Sequence, residues 1–415
     1  MPTPAEVSDA VVLGERWQLV TNDTSPIGSR VRAVRVRQGM SLGALADATG
    51  LSKTHLSRIE RGERSLDRRS TLQAIADALR TPVEELTGQP YTPRNQAETT
   101  AHAAALDIRD VLMGTELGED PGGNGRPPAA MERELWRVER LRDASDYAGF
   151  GPLLPGLLTD AHAAVAGADR QAGLSLMVRC CFAVEHLCSD GTGQHELAWI
   201  AAERALAAAR LADDPTLIGA ANVMRGFSLM HAGIRPRERA LAIATSGADE
   251  LTRHPMTDDG AEVLGMLHLI AAFAHTAAGR PGQADDRLRE ASALAERTGD
   301  GNAFGLWFGP TNVGAWRVWL AVEADEGGTV AELAARVNEA LLPPFRRASM
   351  LVDVARGLAR ERDRHQEAIQ VLLRAEALAP QRVHADAFAR EAIASLLSTA
   401  GGSQLRSLAR RTGVA

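Results

Sequence analysis

Lysine is nearly missing from this chain: Lys53 stands alone against a large complement of arginine. A phosphate-binding loop needs a lysine beside its glycines, and no such glycines surround Lys53, which excludes that class of nucleotide chemistry. Cysteine is almost as scarce. Cys180, Cys181 and Cys188 fall within one apolar stretch, without the spacing of a zinc site or a disulfide framework, and read as buried thiols in a reducing compartment. No His-Glu-x-x-His or Gly-x-Ser-x-Gly motif and no paired-cysteine site occurs, so no catalytic site, metal or cofactor is expected. Aromatic residues make up only 4% of the chain and β-branched runs are few, which leaves an all-α protein packed through small residues. The N-terminus has no apolar signal region, and uncharged apolar runs of about 18 residues are missing, so the chain is expected in the cytoplasm, away from membranes.

What is present is divided unevenly. At 415 residues the chain is too long for one compact core. Between Gly28 and Arg69, ten arginines and lysines stand against four acidic residues, an excess of six. The net charge of -7 therefore leaves about -13 on the remainder. A basic head on an acidic body suits a short nucleic-acid-binding unit joined to a part that does not touch nucleic acid; one solvated basic face is the plainer alternative. Residues 1–26 read as an arm in which Trp17 and Leu19 offer anchors, 27–88 as a first domain, 89–130 as a linker region with a short helix, and 131–415 as a helical array. Pro90, Pro93 and the run from Gly118 to Pro128 mark the linker.

Within the head the helix signals are closely spaced. Arginines at 30, 32, 35 and 37 occupy a first helix ended by Gly39. Ser41 is placed to cap a second helix, Thr49-Gly50 forces a turn, and Ser52 caps a third that runs to Gly62. Leu56 and Ile59 point inward at helical spacing, while Lys53, Thr54, Ser57 and Arg58 fall outside. This is a helix-turn-helix pattern, whose third segment enters the major groove of duplex DNA. Lys53 or Arg58 can donate to guanine, and Thr54 and Ser57 can meet a base or a phosphate. Arg30, Arg61, Arg64 and Arg68 suit phosphates, with Ser41, Ser52 and His55 at the same surface.

The segments Ser41-x-x-x-Leu45-Ala46, Gly50-Leu-Ser, Leu56-Ser-Arg-Ile-Glu60-Arg-Gly62 and Leu72-x-x-Ile75-Ala-x-Ala-Leu79 resemble the Xre family of phage-repressor-type regulators. The resemblance covers about 60 residues. It implies an ion pair between Arg35 and Glu60, and it departs at Leu42, where the family has a glutamine that helps fix DNA contacts.

Beyond Ala129 amphipathic helices follow one another. In Phe227 to Gly233 and Phe273 to Gly279 an aromatic precedes a glycine by six residues, and an Ala-rich second helix follows each. The stretches ending at Gly327 and Asp363 repeat the plan without the aromatic. Gln366 to Pro380 resembles the second helix of a tetratricopeptide repeat, and in Phe308-Gly-Pro-Thr-Asn312-Val, the helix Gly314 to Glu323, Arg346-Arg347-Ala348 and the closing stretch from Leu396 the body resembles actinobacterial regulators that join an Xre head to a tetratricopeptide-like tail. An ordinary helical bundle is the competing architecture.

Two functions fit. The first is a regulator that binds a double-stranded operator as a homodimer and senses a small molecule or peptide through its array. Asn222, Arg225, His268, Trp307, Asn312 and Trp316 would line the concave surface, on the argument that matched repeat positions share a face. The alternative is an interaction hub or antitoxin-like regulator whose array docks a partner protein. The aromatic cluster from Phe304 to Trp319 serves as a pocket in the first reading and as core in the second.

Overall fold

The serines do what their positions predict. In the computed structural model, which describes residues 26–122, 125–231 and 235–414, Ser41 Oγ accepts from the Ala44 amide at 3.0 Å and Ser52 Oγ from the His55 amide at 3.1 Å. They open helices α2 (Leu42–Thr49) and α3 (Lys53–Glu60). Gly50, at φ +70°, makes the turn between them. Helix α1 (Ile27–Arg37) crosses α3 so closely that a Cβ on Gly28 would lie 2.0 Å from the Ile59 carbonyl oxygen. Helices α4 (Arg69–Ala78) and α5 (Val83–Thr87) complete the head. Val31, Leu45, Leu56, Ile59, Leu72 and Ile75 fill its core.

At the α1–α3 crossing, Arg35 Nε and Nη2 donate to the two Glu60 oxygens at 2.6 and 2.7 Å, and Nη1 donates to the Met40 carbonyl at 2.9 Å. The pair implied by the resemblance is therefore present, bidentate and largely out of water. Leu42, in the place of the family's glutamine, packs partly buried against the head core.

The body is all-helical, with no strand among the described residues. Helix α6 (Gln96–Gly114) occupies the expected linker, but it is no loose connector. Ala101, Ala105, Ile108 and Leu112 are buried in the main core of the body. The second linker stretch is pinned by Arg126, whose amide donates to Asp160 and whose guanidinium pairs with Asp160 and Glu134. The N-terminal arm with Trp17 and Leu19, and the glycine at 233, lie outside the described residues.

Helices α7 (Pro128–Asp143), α8 (Tyr147–Phe150) and α9 (Leu154–Ala166) lead into the array. Then α10 (Arg170–His186), α11 (His195–Ala212), α12 (Pro215–His231), α13 (Arg235–Leu251), α14 (Asp258–Ala277), α15 (Pro281–Thr298) and α16 (Pro310–Glu323) follow in order. From α9 to α15 each helix packs on the next, and α10, α12, α14 and α16 also pack on one another, giving two layers. Close approach depends on small residues: a Cβ on Gly265 would sit 2.0 Å from the Phe308 ring. The segments Arg170–Thr192 and Asp258–Ala277 are long and apolar enough to cross a membrane, yet 83% and 89% of each apolar window is buried inside the body. Their apolarity serves the core. The three cysteines are free and buried, and burial pushes each thiol pKa up, Cys181 to about 12.

Helix α16 divides two cores. Trp316 and Leu320 face the array, whereas Ala315, Val318 and Val322 face a second core built with α17 (Val330–Ala335), α18 (Pro344–Leu358), α19 (His365–Leu378), α20 (Pro380–Ala385), α21 (Ala387–Thr399) and α22 (Ser403–Thr412). Phe388 of α21 belongs to neither: it packs into the core of the head.

Glu60→Ala strands the Arg35 charge beside apolar side chains, so the head is expected to lose about 3–5 kcal/mol. Denaturant titration of the full chain, read by exchange of head amides, measures this; an unchanged midpoint would show that the pair contributes nothing.

Candidate nucleic-acid interface and body cavity

Helix α3 presents Lys53, Thr54 and Arg58 to solvent, with Ser57 and His55 half-buried beside them. The Lys53 ammonium reaches back over α2, where Gly43 leaves it room: a Cβ there would lie 2.9 Å from Lys53 Cε. Arg61 Nη1 donates to Ser57 Oγ at 2.6 Å, and its Nε donates to Glu63 at 2.6 Å, so a phosphate would have to displace an exposed carboxylate. Burial, and then the charges of Arg64 and Arg68, lower the His55 pKa, which leaves the ring neutral at neutral pH. It enters the interface as a hydrogen-bonding group and adds no charge. Ser41 and Ser52 are exposed N-caps whose oxygens already accept, and the amide-rich helix ends beside them suit phosphate oxygens.

Three arginines assigned to DNA are placed differently. Arg30 donates to the Thr87 carbonyl of the head at 2.8 Å and lines a crevice against α21 together with Tyr91 and Arg390, which places it at the junction of head and body. Arg64 and Arg68 lie after α3 but turn to Asp325 of the body, at 3.8 and 3.5 Å. A crevice of about 410 Å³ separates this loop from α18 and α21, with Arg58 on its head side.

The docking itself uses backbone amides. Pro26 and Arg68, which precede α1 and α4, provide no side-chain cap. The body fills both vacancies. Glu391 accepts from the amides of Ile27 at 3.0 Å and Leu66 at 3.1 Å, and Glu323 accepts from the Arg69 amide at 2.9 Å. Arg356 joins them: it donates to Glu323 at 3.0 Å and to the Asp67 carbonyl, and pairs with Asp353. Arg360 holds the Asp67 carboxylate at 2.8 Å. None of these body residues stands out in the sequence, because a trans cap leaves no local spacing to recognise.

Beside this junction is a cavity of about 90 Å³. Its walls include rings: Trp316 and Trp319 lie 4.9 Å apart and Phe227 stacks on Trp316 at 6.2 Å, while Phe273, which lines the neighbouring cavity, stacks on Trp319 at 4.5 Å. Arg69 of the head closes one side, its guanidinium 5.0 Å from the Trp319 ring and 4.5 Å from Phe388. A neighbouring cavity of about 70 Å³ shares Arg69, Asp190, Arg382 and Asp386 and extends beneath α4 and α5. Tryptophan side chains at a cavity need a partner for their N–H, and neither Trp316 nor Trp319 has one; the buried Asn312 Oδ1 and Arg346 Nε are also unpartnered.

Of the six residues expected on one concave surface, Asn312 and Trp316 line this cavity and the other four do not. Arg225 donates to Glu203 at 2.6 Å and to Asn222 at 3.0 Å and lies over Trp199, on the α11 side of α12. His268 faces Asp249 of α13 and Arg287 of α15, and burial brings its pKa down to about 4. Trp307 adopts φ +53° in the loop before α16, with its amide donating to Asn302. Helical phase explains the division. Asn222 precedes Phe227, and His268 precedes Phe273, by five residues, about 140° around a helix, whereas Asn312 and Trp316 are about 40° apart.

Residues 26–87 match a family model described as a helix-turn-helix domain. The chain is 36% identical over 59 residues to the HTH-type transcriptional repressor RghR of Bacillus subtilis (strain 168), an alignment covering 14% of this chain and 44% of that protein. Among solved structures, the apo form of ComR from S. thermophilus aligns with 85% of this chain and 95% of its own, at 16% identity and a TM-score of 0.26. Losing a bidentate base contact costs about 1–3 kcal/mol, so Lys53→Ala and Arg58→Ala are each expected to weaken binding to a selected duplex by that amount. Arg61→Ala should instead flatten the salt dependence for every sequence, and Arg30→Ala should leave that slope unchanged; fluorescence anisotropy across a salt series distinguishes these outcomes. By its pattern, its geometry, the family model over residues 26–87 and the similarity to the repressor over 59 residues, the head is a helix-turn-helix DNA-binding domain carried on an all-helical body.

Proposed function

We propose that the chain is a cytoplasmic transcriptional regulator that binds a double-stranded operator as a homodimer and whose tetratricopeptide-like body senses a small molecule or peptide. The observation that carries this reading is the engagement of Arg64 and Arg68, two phosphate-binding candidates, by Asp325 of the body. In this arrangement the body competes with DNA for the same cations. The cavity is connected to the same junction, since Arg69, which lines it, is both the first residue of α4 and a partner of Glu323 at 3.6 Å.

A ligand acts only through a difference in affinity between the docked and undocked arrangements, and about 1.4 kcal/mol of difference shifts their ratio tenfold. Filling the cavity displaces or fixes Arg69 and so biases the docking of the head. Two heads released together engage two half-sites about one helical turn apart, which supports the dimer.

Asp325→Asn removes the competing charge. Exposed pairs contribute about 0.2–1 kcal/mol, so the full-length variant is expected to bind a selected operator up to about fivefold more tightly than the wild type. The low-mass fraction of a native extract should shift wild-type affinity and shift the variant less. Operator affinity indifferent to both the substitution and the extract would remove the reading.

A further inference from the structure

The cavity that supports ligand sensing also carries information about ligand charge. Arg346, near the start of α18, lines it, and its guanidinium lies 5.6 Å from the Phe227 ring and 5.2 Å from the Phe345 ring. Burial brings its pKa down to about 10, so it remains charged at neutral pH. Among the described residues no carboxylate forms an ion pair with it, and its Nε has no acceptor. The acids nearby are engaged elsewhere. Asp190 pairs with Arg382 at 2.5 Å, Asp353 pairs with Arg356, and Asp386 caps α21 through the amides of Phe388 and Ala389. Glu185 accepts from Ser189 Oγ, and burial raises its pKa to about 8, which leaves it largely protonated. His186, beside Phe345, is held neutral by burial, with its pKa near 3.

A guanidinium partly withdrawn from water without a counter-ion is unfavourable, and two ring faces offset only part of the lost hydration. The other unsatisfied groups on the same cavity are also mainly donors: the indole N–H groups of Trp316 and Trp319, both without an acceptor. Trp316 is 2% exposed and Asn312 1%, and although Arg346 and Trp319 are half-buried as whole residues, Arg346 Nε and the Trp319 indole nitrogen are themselves buried and without a protein acceptor.

We infer that this cavity binds an amphipathic monocarboxylate, its carboxylate on Arg346 and the indole N–H groups and its apolar body against the packed rings of Phe227, Trp316 and Trp319. A planar carboxylate matches the guanidinium fork, and the rings match an aryl or acyl body. A phosphate ester is disfavoured, because its second charge would meet Asp190, Asp353 and Asp386 on the same walls. The inference rests on the sensor reading above and assigns it a ligand class.

The test is calorimetric titration of the full chain with 2-naphthoate, 4-phenylbutyrate and octanoate, each paired with its neutral amide. At least one carboxylate is expected to bind ten times more tightly or better than its amide, and to quench tryptophan fluorescence. Arg346→Gln should abolish that preference, and Arg346→Lys should restore part of it. Should R346Q fold poorly, the comparison of acid with amide on the wild type decides without it. Equal binding of acid and amide, or a preference that survives R346Q in a folded variant, overturns the inference. A neutral or cationic extract component that fills the cavity and shifts operator affinity, while no carboxylate binds, overturns it too and leaves the sensor reading standing.

Discussion

A helix that begins without a side-chain cap leaves its first amides to be satisfied by whatever else is near. In this chain α1 and α4 both begin that way, and the acceptors that reach them are glutamates from more than 250 residues further along. Caps of this kind contribute about 0.5–2 kcal/mol each, and the negative charge also sits favourably at the positive end of the helix dipole. The glutamates in turn are deeply buried, and Glu323 is paired with Arg356, itself 1% exposed. Burial works against the Arg356 charge, and the carboxylates of Asp353, Glu323 and Asp67 more than offset it, so its pKa lies above the ordinary arginine value. Removing any one partner strands the others. The placement of the head, the position of Arg69 and the shape of the cavity all depend on this network.

One consequence is that the head and the cavity share parts. Phe388 of α21 contributes to the head core, and Arg69 of the head contributes to the cavity wall. A change in the cavity is therefore felt by the head without any long path between sites. The elements that would transmit it are a single side chain and the helix end it begins.

The sequence was most readable where structure is local. Ser41, Gly50 and Ser52 fix the helix-turn-helix because a cap and a left-handed glycine act within a few residues, whereas the pairing of Arg35 with Glu60 was legible only through the family resemblance. The array was readable as small-residue helices with recurrent glycines. It was less readable at the cavity, where equivalence of repeat positions was assumed without helical phase, so Asn222 and His268 lie away from the cavity while Asn312 and Trp316 line it. Helix α6 was read as a short helix inside a linker, while its start at Gln96 and the packing face of its alanines at 101, 104 and 105 were masked by the prolines and polar residues that precede it. Glu323, Arg356 and Glu391 were not readable at all, since each looks like an ordinary charged residue on an amphipathic helix until the head is placed against it.

The central claim is that body carboxylates cap the head. Hydrogen exchange at the amides of Leu66 and Arg69 reports it most directly in the full-length chain. Both amides are expected to exchange slowly in the wild type and to lose protection when Glu323 and Glu391 are both changed to alanine, while amides within the body core keep theirs. Fast exchange at both positions in the wild type would contradict the account.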